Sequence, residues 1–320
     1  MNRVLIRGDG IAARCCEHLL RQAGCEVTAD HLDRPRLPAI MLGGAAVSMM
    51  RDVFGRHDLF SNFHAIRKRV VAWGPGAEPV SLDHSAVVVS ERQLLESVQS
   101  VPSRQTDAEW TVITSRPLPE DTAEHHFGSR IASAVPVALT GPADTCWIES
   151  LEHGWIFLIP NSEKAGWLLA VGGDAEALLA QSRVVARQIA ALAGEASRFP
   201  AYPRIIEPLC GPDWLACGSA AMAFDPLCGD GTANAVRESI LAAAVIRTGP
   251  DALSHYEARL TAGFQRHLAL CVNFYQSANT GPWWQTELDS LHAGLAWCAS
   301  RAFGAYRYQL NGFDLVPVLP

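Results

Sequence analysis

Long apolar runs are missing from this 320-residue chain. No stretch approaches the ~18 consecutive apolar residues of a membrane span. The opening Val4-Leu5-Ile6 run stops within two residues, at Gly8, too short for the core of a signal peptide. Cysteine pairs at ligand spacing are missing too. None of the nine cysteines makes a Cys-x-x-Cys, and neighbouring Cys15 and Cys16 point different ways on a helix. That pattern predicts reduced, mostly buried thiols in a cytoplasmic protein, without a structural zinc site or other metal. Lysine is scarce, with only Lys68 and Lys164. Lys+Arg total 26 against 33 Asp+Glu, a net charge of −7, and the densest basic cluster is only Arg67-Lys68-Arg69. A nucleic-acid groove is therefore not expected, nor is a membrane partner. No internal repeat, low-complexity tract, Ser/His/Asp set or paired-carboxylate motif stands out.

What is present supports sizeable cores. Apolar residues make up 49% and charged residues 18% of the chain, and the length suits about two domains. Val4-Leu5-Ile6 reads as a buried parallel strand. Ile11, Cys15, Leu19 and Ala23 recur every four residues, predicting a helix over 11–23 that Gly24 ends before a second strand at 25–29. A helix is predicted over 45–54, a strand at 87–89, and a helix after Ser90 as its cap. Trp110-Thr111-Val112-Ile113 reads as a further strand. From 131 to 171, short β-rich runs separated by Gly, Pro, Asp and Asn turns predict an antiparallel sheet. A long helix is expected over 175–192, a buried strand at 215–217, and an Ala-rich helix over 233–246. The chain then reads as helical to about residue 274, with aromatic loops around Pro282.

Two glycine motifs carry the chemistry. Gly8-Asp9-Gly10-Ile11-Ala12-Ala13 is a G-x-G-x-x-A that follows a strand and opens a helix. Gly8 permits the tight turn, Gly10 lets backbone N–H groups reach a pyrophosphate, and Ala13 lets the helix pack close to the strand. The register puts His31 where a ribose-binding acid usually stands. Asp30 or Asp33 could serve instead, or both are solvated turn carboxylates. About 200 residues later, a strand ends at Gly218, a loop carrying Asp225 and Pro226 crosses, and Gly229 and Gly231 precede the Ala-rich helix. Two anion-friendly helix starts imply an extended cofactor between them.

Taken in order, Gly8-x-Gly10-x-x-Ala13, Arg92 in Ser90-Glu91-Arg92-Gln93-Leu94-Leu95, and Cys217-Gly218-Ser219-Ala220-Ala221 through Gly229-Asp230-Gly231 resemble the FAD-dependent monooxygenases. These are the aromatic-hydroxylase and flavin-halogenase-like enzymes, and the resemblance spans nearly the whole chain. It implies an α/β fold: a Rossmann-type FAD-binding domain with an antiparallel β-sheet substrate domain and a helical C-terminal tail. The implied boundaries are 1–127 plus 198–250 for the FAD domain, 128–197 for the sheet and 251–320 for the helical region. Gly8, Gly10, Ile11, Ala12 and Ala13 would hold the pyrophosphate, with Arg92 near the phosphates and Asp30 toward the ribose. Gly218 and Ser219 would meet the ribityl chain. Asp225, Pro226, Gly229, Asp230, Gly231, Thr232 and Ala233 would surround the ring, with backbone N–H groups at its pyrimidine edge.

Gly154-Trp155-Ile156-Phe157-Leu158-Ile159-Pro160 is similar to the Trp-x-Trp-x-Ile-Pro signature of flavin-dependent halogenases, with Phe157 for the second Trp. Alternate residues of such a strand also line an ordinary sheet core. Trp155, Phe157, His126 and Trp283 are the candidate substrate-pocket residues. The sequence departs from the family in three places: Ser219 replaces an Asp, Thr114-Ser115-Arg116-Pro117 replaces an Asp-Gly motif, and the stretch between Arg92 and Trp110 is short. The resemblance implies a FAD-dependent oxidoreductase, a monooxygenase of an aromatic substrate. That substrate is a small molecule or a partner protein's side chain, such as a Trp modified during quinone-cofactor maturation. NADPH, NADH or a reductase would supply electrons. The alternatives are a degenerate accessory protein with weak or no flavin, a halogenase, and a nicotinamide-dependent dehydrogenase, which leaves the second glycine motif unexplained.

Overall fold

Val4 and Ile6 are fully buried in the opening strand Arg3–Arg7, the centre of a parallel sheet ordered 214–216, 110–113, 3–7, 26–30. The computed structural model describes residues 2–32, 34–98, 107–229, 231–301 and 306–318. Helix α1 (Ile11–Gln22) follows the first strand and buries Ile11, Cys15 and Leu19 of the expected stripe, together with Ala12, Ala13, Cys16 and Leu20, while Ala23 lies past the helix end and is exposed. After the strand Ile40–Gly43 comes α2 (Gly44–Phe54), which Gly55 ends in the left-handed conformation at φ +61°. Helix α3 (Glu91–Ser97) starts on a complete capping box: the Ser90 hydroxyl accepts from Gln93 N–H, and the Gln93 side chain accepts from Ser90 N–H.

The second layer is a nine-stranded sheet ordered 189–192, 131–139, 165–171, 154–160, 145–151, 64–72, 80–89, 40–43, with 197–200 also paired to 131–139. Three of these strands come from residues 40–89, a segment the sequence reading assigned to the dinucleotide domain. His64–Ala72 joins the sheet by parallel pairing with Thr145–Leu151, while its other neighbour is antiparallel. Its exposed Arg67 and Lys68 interrupt the apolar alternation that would have revealed it.

The long helix expected over 175–192 is a short α4 (Ala175–Gln181) and a strand, Ile189–Leu192. Buried Glu149 ends the helix: its carboxylate accepts the Ser182 hydroxyl and the N–H groups of Arg183, Val184 and Val185. Those backbone donors have a better acceptor than the next helical carbonyl. Helix α5 (Gly231–Thr248) packs against α1, tied by the Ser239 hydroxyl donating to Ala12 O at 3.1 Å. Helix α6 (Leu253–Ala278) is followed by α7 (Pro282–Ala299). The predicted loops around Pro282 are therefore a helix start, where proline's missing N–H and fixed φ suit the first turn. Among the described residues, no helix is long and apolar enough to cross a membrane.

The layers are pinned by a buried ionic cluster. Arg130, at the entry to the sheet layer, is fully buried, with Nε 3.0 Å from Asp225 Oδ2 and an ion pair to Glu287 on α7. Burial pulls the Arg130 pKa down, but Tyr275, Asp225 and Glu287 outweigh it and hold the guanidinium charged. Glu287 also accepts the Ser129 hydroxyl at 2.9 Å. Removing one partner of a buried pair strands the other charge at a cost of about 3–5 kcal/mol. Glu287→Ala should therefore lower unfolding free energy by about that amount in chemical denaturation. A loss below about 1 kcal/mol, the range of exposed pairs, would contradict the pinning role.

Candidate functional site

The opening turn is built for close backbone approach. Gly8 and Gly10 take φ of +116° and +121°, and a Cβ on Gly8 would fall 2.5 Å from Thr114 Oγ1. Gly10 caps α1 without any side-chain hydrogen bond, which leaves first-turn N–H groups available to an anion. Asp9 folds back over its own turn, its Oδ1 accepting from Gly10 N–H at 2.7 Å. A cavity of about 220 Å³ runs from Gly10, Ile11 and Ala12 past Gly218 and Ser219 to Gly231 and Thr232. Both glycine turns thus wall one space. The departures from the family pattern close its back: the Thr114 hydroxyl donates to Arg7 O, Ser115 Oγ accepts from Asp9 N–H, and the Ser219 hydroxyl donates to Thr114 O.

The charges around the turn come in pairs. Arg34 crosses the turn, its Nη2 3.1 Å from where a Cβ on Gly10 would lie, and ion-pairs with buried Glu91. Arg36 pairs with Asp9, and Arg14 Nη2 lies 3.6 Å from the same carboxylate. Burial raises the Asp9 pKa, but the hydrogen bonds from Arg36 and Gly10 and the charge of Arg14 bring it below the usual value. Arg14 Nε and Arg34 Nε are buried with no hydrogen-bond acceptor. Such orphaned donors suit an anionic ligand.

Several expected residues lie elsewhere. The first turn of α3 turns Glu91 and Leu94 toward the cavity and leaves Arg92 exposed, so a carboxylate stands on the wall where an arginine was expected. Asp30 is exposed at its strand end and contributes a carbonyl to Gly8 N–H. Asp33 and Asp230 lie outside the described residues. Gly8, Ala13 and Ala233 do not line the cavity. Pro226 starts a single 3-10 turn that Gly229 ends at φ +65°. Buried Asp225 anchors that turn rather than lining the cavity: it accepts from Leu227 N–H and the Tyr275 hydroxyl and faces Arg130.

The aromatic residues divide. Trp155 is fully buried and its Nε1 donates to Tyr275 Oη at 3.4 Å. Trp283 stacks on Tyr275 at 6.1 Å and lines a separate cleft of about 330 Å³ with Ser129, Arg130 and Arg198. Phe157 is buried beneath the Arg69 guanidinium, which lies 5.8 Å from its ring centre. His126 is exposed on the strand Ala123–His126, against Glu124 and the Tyr202 ring, and joins neither space. Both lysines are exposed, Lys68 on its strand and Lys164 in the turn after Pro160.

Sequence reasoning missed Glu238. It lies seven residues after Gly231 on the same face of α5, and an isolated acid in an Ala-rich helix was the available signal. It lines the cavity and accepts from Gly218 N–H at 2.6 Å, while its Oε1 has no partner. Burial pushes its pKa up to about 8, against the opposing Gly218 N–H. The group is therefore protonated when folded at neutral pH and ionised when unfolded above ~4.3. Its stabilising contribution is full below the unfolded pKa and is lost as pH rises toward the folded one. Between about pH 5 and about 8 this contribution is lost, so the thermal midpoint of Glu238→Gln, which fixes the neutral form, should gain on that of the wild type as pH rises. Parallel melting profiles for the two proteins would refute the buried neutral acid.

No protein-family model and no curated protein matches the sequence. Solved structures do match in three dimensions. The peptidyl tryptophan dihydroxylase QhpG, essential for tryptophylquinone cofactor biogenesis, aligns at a TM-score of 0.76 and 19% identity, over 99% of this chain and 86% of its own. The myxobacterial chondrochloren halogenase CndH, a variant of FAD-dependent halogenases, aligns at 0.73 and 17%, over 94% and 90%. HpxO of Klebsiella pneumoniae, in complex with FAD, aligns at 0.61 and 16%, over 94% of both chains. At such identities the matches speak to architecture. The chain has the fold shared by FAD-dependent hydroxylases and halogenases.

Proposed function

We propose that the protein binds FAD between its two glycine turns and oxidises an aromatic substrate as a monooxygenase. The observation that carries this reading is the single cavity walled by Gly10–Ala12 at one end and Gly231–Thr232 at the other. The residues present fit the group. The uncapped start of α1 offers N–H donors, Arg34 on the cavity wall and Arg14 beside Asp9 each keep an orphaned donor, and Gly10 leaves room where a Cβ would stand. Arg34 has to swing from Glu91 to meet phosphate, because it now lies across the turn.

Bound there, flavin supplies the two-electron and oxygen-transfer chemistry. The chain supplies position and exclusion of water. The α1 start and Arg34 would hold the diphosphate, Gly218 and Ser219 the sugar-alcohol chain, and the Gly231 and Thr232 N–H groups the electron-rich edge of the ring. Neutral Glu238 keeps an uncompensated negative charge out of the cavity. The cluster of Trp155, Tyr275 and Trp283, under the Arg130 guanidinium at 4.9 Å from the Tyr275 ring, suits an aromatic ring approaching through the neighbouring cleft. That ring belongs to a small molecule or to a side chain of a partner protein, the second kind being what QhpG's name describes. Electrons come from NADH, NADPH or a reductase. Halogenation is the weaker variant, because neither exposed lysine lines the cavity.

One observation favours a second reading, a flavin-free accessory protein: the Arg34–Glu91 and Arg36–Asp9 pairs already neutralise the turn. A FAD titration followed by flavin fluorescence separates the two. The monooxygenase reading predicts saturable one-to-one binding, weakened at least about tenfold by Gly10→Leu and tightened by Glu91→Gln, which frees Arg34 for phosphate. No saturable binding to the folded wild-type protein would overturn it in favour of the accessory reading.

A further inference from the structure

Three side chains meet beneath the later glycine turn without any part in the reading above. Cys228 ends the 226–228 turn, next to Gly229, while His267 and Cys271 lie one helical turn apart on the same face of α6. Cys271 Sγ is 3.7 Å from Cys228 Sγ and 3.4 Å from His267 Nε2. The Asp225 backbone N–H donates to that same Nε2 at 2.9 Å, which makes Nε2 an acceptor and assigns the imidazole proton to Nδ1. That bond occupies the single Nε2 lone pair, which leaves the Cys228 sulfur as the acceptor for the Cys271 S–H. Cys228 is partly exposed and Cys271 is buried.

We propose that Cys228 and Cys271 are a reversible thiol–disulfide pair, with hydrogen peroxide as the oxidant and Cys228 as the sulfur that meets it. The Cys228 thiolate attacks one peroxide oxygen. The O–O bond breaks, the departing hydroxide takes a proton and leaves as water, and a sulfenic acid remains on Cys228. The Cys271 sulfur then attacks the Cys228 sulfur. The S–S bond forms, the S–O bond breaks, and the hydroxide leaves as a second water with the Cys271 proton. Each sulfur gives up one electron and peroxide takes two. A dithiol reductant reverses the bond.

A second pair in the same molecule provides the contrast. Cys16 and Cys217 sulfurs lie 3.8 Å apart, yet both residues are fully buried. The hydrogen bond with Cys16, and then burial, hold the Cys217 thiol well above its usual range. At Cys228 the hydrogen bond from Cys271 works in the other direction and outweighs burial, so this thiol is held well below the usual range. Distance is the same in both pairs, while thiolate character and access differ, and those set reactivity. Closing 3.7 Å to a bond of about 2.05 Å draws the 226–228 turn toward α6, and the same backbone continues to Gly231 and Thr232 on the cavity wall.

The test uses the full-length protein, reduced, desalted, and exposed to a small excess of hydrogen peroxide with or without added FAD. Remaining thiols are then alkylated in denaturant and the peptides mapped without reduction. The proposal expects two of the nine thiols to disappear, a Cys228–Cys271 linked peptide to form, and dithiothreitol to restore all nine. Cys271→Ser should leave Cys228 as a sulfenic acid that dimedone traps, while Cys16 and Cys217 stay reduced. Nine intact thiols, a bridge between other cysteines, or one zinc per chain protecting Cys228 and Cys271 from peroxide would each overturn it. Because the readout is covalent and is taken in both the presence and absence of flavin, its outcome is independent of whether FAD binds.

Discussion

The structure depends on how closely the start of α1 can approach the loop that begins at Gly218. A Cβ on Gly218 would fall 2.7 Å from the Ala12 Cβ, closer than real side chains come, and Gly218 itself takes φ of +61°. Small residues at both positions let two segments some 200 residues apart share one wall. Ser239 on α5 then fastens to Ala12 O, and the Glu238 carboxyl to Gly218 N–H, so that three elements are fixed around one opening. A larger residue at either position would force the two segments apart. The cavity follows from this packing constraint before any charge is considered.

Electrostatics then determine what the cavity can accept. The wall carries Asp9, Glu91 and Glu238, an unusual set for a place proposed to take phosphates. Each acid is neutralised differently: Asp9 by Arg36 and Arg14, Glu91 by Arg34, and Glu238 by keeping its proton. Arginine is suited to such exchange, since its planar fork can release one carboxylate and engage a phosphate with similar geometry.

Much of the layer around the parallel sheet was legible in the sequence because its signals are local. The strand–turn–helix at Gly8–Ala13, the Ser90 cap and the Ala-rich helix after Gly231 each depend on residues a few positions apart. The antiparallel core over 131–171 was readable from turn spacing for the same reason. What escaped depends on distant contacts or on single-residue register. One step along a helix rotates a side chain by about 100°, which is enough to exchange Arg92 for Glu91 on the cavity wall. Glu149 ends α4 from a strand more than thirty residues earlier. Arg130, Asp225, Tyr275 and Glu287 carry no spacing that announces a cluster, and Cys228 meets Cys271 across 43 positions.

The central claim is that one ligand touches both turns at once. A crystal structure of the protein grown with FAD tests it most directly. The account predicts the diphosphate against the N–H groups of Gly10–Ala12, with Arg34 turned from Glu91 toward it, and the ring beside Gly231 and Thr232. A flavin seated elsewhere, or one that reaches only one of the two turns, would contradict it.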